Sequence, residues 1–240
     1  MGKTFKDVLK EKQERAERDN RPKVDFFKLK ENETRYIRFL QEFDEDMRNY
    51  DSKFGTAEIL VEHVSAEDWT RKAVCTADSE GRCFACDMDE ANPSVEETNQ
   101  KGETYTKWHP WGQKSTFYVY VVDSDGKVEV LSRQTNNALF DKIVEEIADN
   151  DNSITDVTFK VSKGKNKSDS WELKALKDSH PNHFEVPELP AELPVLSEIV
   201  GLRVPFEDQR KFYIPGTKKE SNADVPSVSK DDASKAGEDW

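Results

Sequence analysis

The alternation of apolar and polar positions predicts a mainly β chain with one well-marked helix. Residues 26–43, FFKLKENETRYIRFLQEF, hold a polar KENET turn followed by period-two alternation through Tyr36 and Ile37, which reads as strand, turn, strand. Residues 57–63 form a further strand. Residues 114–123 and 127–131 read as a hairpin around Asp125-Gly126, and 156–161 with 170–176 as another pair joined by SKGKNKSD. By contrast 137–148, NALFDKIVEEIA, set Leu139, Ile143, Val144 and Ile147 on one helical face, with Asn136 or Asn137 as cap.

The two ends have a different texture. Residues 3–19 read as a helix, with Phe5, Val8 and Leu9 as a short apolar patch, and Pro22 stops it. Beyond Pro181, prolines at 187, 190 and 194 favour an extended strap, and IVGLRVPF reads as a last packed element. From Gly216 onward there is little apolar content until Trp240, which predicts disorder. The chain therefore divides into a basic arm over 1–22, a core over 23–215 with an insert over 57–104, and a flexible acidic tail over 216–240.

The net charge of −13 opposes nucleic-acid binding only in sum. Residues 1–40 carry 12 basic and 8 acidic groups, whereas 41–104 carry 6 and 17, and local field governs what a groove attracts. The longest apolar run, 117–122, is far short of the roughly 18 residues of a spanning helix, and MGKTFKDVLKE lacks the apolar stretch of a signal peptide. A cytoplasmic protein is expected. There an odd number of cysteines favours metal binding or free thiols over disulfides.

All three cysteines lie in the spacing His63-x11-Cys75-x7-Cys83-x2-Cys86. A C-x2-C pair on a turn presents two thiolates to one ion, and two upstream ligands complete a closed, structural zinc tetrahedron. His63 ends a strand pointing into this loop, and His109 is its competitor as the fourth ligand. A zinc deaminase needs His-x-Glu and a proline before the pair; here Val64 and Ser65 follow His63, and Arg82 precedes Cys83. With no Walker loop, serine elbow or dinucleotide fingerprint either, the expectation is a protein that is not an enzyme.

Residues 105–120, YTKWHPWGQKSTFYVY, interleave Tyr105, Trp108, Trp111, Tyr118 and Tyr120 with Lys107 and Lys114. Arg35, Tyr36 and Arg38 lie upstream; Arg133, Lys163, Lys165 and Trp171 lie downstream. Unpaired bases offer faces for aromatic stacking, and intervening cations track phosphates, so this composition suits a single-strand groove. Alternation assigns Phe117, Val119 and Val121 to the core and Tyr118 and Tyr120 to the groove. The alternative is a zinc-stabilised protein-interaction module that regulates replication or transcription proteins without binding single strands.

The order of RYIRFL, AEILVEH leading to C…CFAC, KSTFYVYVVDSDGKVEV, LFDKI and VTFKVSKGKNKSDSWELK resembles the zinc-bearing single-stranded-DNA-binding protein of T-even-type tailed bacteriophages. The resemblance implies an OB-fold barrel with an inserted zinc-binding subdomain, working in the cytoplasm of the bacterial host. It implies a coat for single-stranded DNA, with little sequence specificity, in replication, recombination and repair. His63, Cys75, Cys83 and Cys86 take the zinc positions; Tyr105, Lys114, Phe117 and Tyr118 match a run in the DNA cleft, with Trp171 near another aromatic there. The arm, with Lys3, Phe5, Lys6 and Lys10, is implied to contact the next protomer cooperatively along DNA. The tail, with Asp231, Asp232, Glu238, Asp239 and Trp240, is implied to recruit replication or recombination proteins.

Overall fold

The computed structural model describes residues 4–6, 9, 12, 24–65, 71–93, 96–99, 101–106, 111–165, 171–189 and 193–214. Lys3, Lys10, Lys107, Trp108, His109 and the five tail residues lie outside them. The chain is mixed α+β with a mostly antiparallel sheet and few helices. It divides into two compact units, Met1–Glu58 with Phe117–Val200, and Ile59–Thr116 with the chain from Gly201 onward.

The first unit is built on β1 (Thr34–Phe39), β6 (Lys114–Val122, which begins in the other unit), β7 (Val128–Gln134), β8 (Thr158–Lys163) and β9 (Trp171–Ala175). Strand β1 pairs antiparallel with β6 on one side and β8 on the other; β8 pairs with β9, and β7 with β6. Among the described residues this path stays open at β7 and β9 and does not close into a barrel. Helix Ala138–Asp149 starts where the Asn137 side chain accepts a 2.9 Å hydrogen bond from the Leu139 amide. Leu139 and Ile143 are buried with Ile37, Phe39, Phe117, Val119, Val121, Phe159, Val161 and Leu173.

Period-two geometry then fixes the outer face. In β1 the core residues Ile37 and Phe39 share a face with Arg35, so Thr34, Tyr36 and Arg38 point the other way. Registers Tyr36↔Lys160 and Lys160↔Lys174 place these three side chains in one row across three strands.

The second unit holds β2 (Glu58–Val64), β3 (Lys72–Val74), a hairpin of β4 (Glu96–Thr98) and β5 (Thr104–Thr106), and the short helices α1 (Ala77–Glu80) and α2 (Phe84–Ala91). With the first unit's Ala138–Asp149 as α3 and its Leu196–Ile199 as α4, the last described helix is α5, Phe206–Tyr213. Chain 201–214 closes over the insert. Val74 donates to the Leu202 carbonyl at 2.8 Å, Ser65 Oγ to the Tyr213 carbonyl at 2.7 Å, and the buried Gln209 amide to Thr76 Oγ1 at 2.8 Å. Gly201 is obligatory: at φ 74°, an added Cβ would meet Leu60 Cδ1 at 2.5 Å and Val74 Cγ2 at 2.7 Å.

Candidate metal centre and nucleic-acid face

His63, Cys75, Cys83 and Cys86 converge, their ligand atoms all within 4.8 Å of one another. His63 arrives on β2 beside Ala73 of β3, and Cys75 follows β3 directly, its amide donating to the Val61 carbonyl. Cys83 caps α2 and Cys86 sits in its first turn, where the helix N-terminus favours negative sulfur.

The spacing suits a tetrahedral ion. Cys75 and Cys86 sulfurs are 3.5 Å apart, and Cys86 Sγ is 3.4 Å from His63 Nε2. Two thiolates on one zinc would stand about 3.8 Å apart, given bonds of about 2.3 Å and tetrahedral angles. The other imidazole nitrogen, Nδ1, is 2.7 Å from the Trp111 carbonyl, which fixes it as an N–H and turns Nε2 to the sulfurs, where a bound metal would take the place of its proton.

Electrostatics argues for a cation as well. Burial and the hydrogen bond with Cys75 push the Cys86 thiol up to about 12, so ionising Cys86 needs a compensating charge. Burial would depress His63 and raise Cys83, but hydrogen bonds outweigh it: those with Cys83, Cys75 and the Trp111 carbonyl raise the imidazole to about 9, and those with His63 and the Thr76 and Cys86 backbone lower the Cys83 thiol to about 6. The group can hold a metal ion such as zinc. The buried Tyr213 hydroxyl has no hydrogen-bond partner among the described residues, and the three sulfurs add to the burial that disfavours its ionisation.

The chain matches no family model, and neither a curated protein nor a solved structure matches it.

The residues expected in a groove fall into distinct groups. Phe117 is core, its ring 5.2 Å from that of Phe140. Tyr118 and Tyr120 are 2% and 1% exposed, so the assignment of these two to an open face is corrected. Strand β6 is buried on both faces: Gln41 Oε1 accepts from the Tyr120 amide, and the Tyr120 hydroxyl donates to the Pro194 carbonyl. Burial pushes that hydroxyl up to about 12.

Trp111 packs edge-on between Phe84 and Tyr213 in the second unit. Arg38, 6% exposed, is spent on the Phe184 and Thr155 carbonyls and Glu185. Arg35 is clamped by Glu129 at 2.6 Å and Asp123 at 2.9 Å; burial opposes its charge, but these carboxylates outweigh it and raise its pKa. Arg35 and Arg38 are thereby tied into the fold. Trp171, 8% exposed, lies under the Arg133 guanidinium at 3.6 Å, so it is a platform for that cation rather than for a base.

Arg133 donates only to the Ser132 carbonyl and has no carboxylate partner among the described residues; its burial lowers its pKa. Lys163 stands beside Trp171 in register and lines an open depression with Leu29, Lys30 and Glu31. Lys165 is exposed, and Lys114 half-buried at the start of β6. Tyr105 lies on β5, its side chain outside the described residues.

Tyr36 is half-buried, 6.3 Å from the His180 ring. Beside it stand Lys160 and the exposed Lys174, neither paired with a carboxylate among the described residues. Lys174 escaped the sequence reading, although its place in an alternating strand already sets it opposite Leu173. At the amino terminus, Phe5 is 77% exposed and Lys6 is exposed too. Among the described residues no helix is long and apolar enough to cross a membrane.

Proposed function

We propose that this chain is a non-enzymatic coat for single-stranded DNA, serving replication, recombination and repair. The observation that carries the reading is the Tyr36, Lys160, Lys174 row. An aromatic ring and two cations without carboxylate partners among the described residues share the face of an antiparallel sheet that lies opposite the packed core. A ring accepts the face of any unpaired base, and the lysines meet its flanking phosphates. On the other side of the sheet, over Trp171, Arg133 is a desolvated cation without a carboxylate partner among the described residues, whose counter-charge a phosphate would supply.

The open sheet is read as an OB-type core with the metal module inserted. Three sulfurs and one imidazole at tetrahedral spacing support zinc as the ion. Bound zinc would supply folding free energy to the module; His63, Cys75, Cys83 and Cys86 would hold it.

The test is a titration of labelled oligo-dT with wild type, Tyr36→Ala, and the double variant Lys160→Ala/Lys174→Ala. The reading expects Tyr36→Ala to lose about 1–3 kcal/mol of affinity. Unchanged binding by both variants would remove this face from the function.

A further inference from the structure

The two halves of the Cys–His cluster differ in their surroundings. His63 and Cys83 are 0% and 1% exposed, whereas Cys75 and Cys86 are half-buried. The inner half is served by the fold itself, through the Trp111 carbonyl on His63 Nδ1. The outer half faces one exposed side chain. Gln113 Nε2 stands 3.6 Å from Cys86 Sγ and 3.9 Å from Cys75 Sγ, within reach of N–H···S hydrogen bonds to both.

We propose that Gln113 is a positioning residue of the metal centre, donating its amide hydrogens to the two solvent-facing sulfurs and governing how firmly they retain the ion. The inference rests on the cluster being a metal centre. Three thiolates around a divalent cation leave one surplus negative charge. Inside the cluster, helix α2 and the His63 environment offset it; on the outside the Gln113 amide is the donor within reach of the two sulfurs. Hydrogen bonds to a thiolate draw down its lone pairs, which reduces attack by protons and electrophiles on the metal-bound sulfur. Gln113 is two residues past Trp111, so one short segment, 111–113, orients the imidazole at one end and quiets the sulfurs at the other.

The experiment uses the full chain loaded with one equivalent of cobalt(II), comparing wild type with Gln113→Leu and Gln113→Asn. Leucine removes the donor, and asparagine withdraws it by one methylene. Because the side chain is exposed, both variants are expected to fold and load one ion. The thiolate-to-cobalt charge-transfer band should move to lower energy in both variants, and zinc transfer to a chromophoric chelator should quicken about 10-fold. A merely structural role would not move the band. Folded, fully loaded variants with the wild-type spectrum and release rate would overturn the role of Gln113. A wild-type chain that takes up no cobalt would overturn the metal reading, and this inference with it.

Discussion

The Glu42 carboxylate accepts a 2.6 Å hydrogen bond from the Ser153 hydroxyl at a site where Glu42 is 1% exposed and Ser153 fully buried. The same carboxylate also accepts from the amides of Ile154 and Thr155 and from Thr155 Oγ1 at 2.7 Å. A buried negative group is thus satisfied by donors alone, tying the end of β1 to the loop before β8. Glu42→Ala orphans these donors together. It should lower stability by about 3 kcal/mol in denaturant titration, well above a surface substitution.

Asp156 carries a pH dependence of definite sign. Burial would raise its pKa, but hydrogen bonds from Asn150 and Arg48 outweigh burial and hold the carboxyl below the usual range. A lowered folded-state pKa means the contribution is present above the unfolded value of about 3.9 and is lost as pH falls through the folded one. Unfolding midpoints measured through this acid range should fall less steeply for Asp156→Asn than for wild type.

Much of this was legible in the sequence because it is local. The Asn137 cap, the 3.6-residue apolar stripe beneath it and the Asp125-Gly126 turn, with Gly126 at φ 81°, each depend on a few neighbouring residues. The His63, Cys75, Cys83 and Cys86 cluster was legible because few residue types bind metal and their spacing is tight. What alternation could not reveal is whether a strand has a second cover. Tyr118 and Tyr120 alternate as for a half-open strand, yet both are buried, and the Tyr120 hydroxyl donates to the Pro194 carbonyl of a distant segment. Nor did position along the chain show that Glu129 would engage Arg35, or that FEDQRKFY would return as α5 over the metal module.

Metal removal should act on the second unit first. A structural zinc held by these four residues would supply about 10–16 kcal/mol to the local fold. Chelation, or Cys83→Ser, should accelerate amide exchange across 71–91 and 201–214, where Gln209 bridges Phe84 and Thr76. Unaltered exchange after complete metal loss would mean that packing alone holds the module.

Gly201→Ala probes the same closure without touching a ligand. The new Cβ has no room between Leu60 and Val74, and φ 74° is strained for alanine. A loss of more than about 1 kcal/mol is expected in thermal or denaturant unfolding. Chelator-treated protein should show a smaller change, because the closure is already loosened.

Salt resolves the cations individually. Each phosphate contact contributes about −0.7 to the slope of log affinity against log salt on single strands. Lys160→Ala and Lys174→Ala should each flatten the slope by about that amount, whereas Arg35→Gln, at a position already paired with Glu129 and Asp123, should leave it unchanged.

The most direct measurement is competition: labelled oligo-dT bound to the full chain, displaced by unlabelled oligo-dT or by a blunt duplex of equal length. A sheet face offering one ring and separate lysines predicts displacement by the single strand at far lower concentration. Equal or better displacement by the duplex, or no binding of oligo-dT at all, would contradict the account.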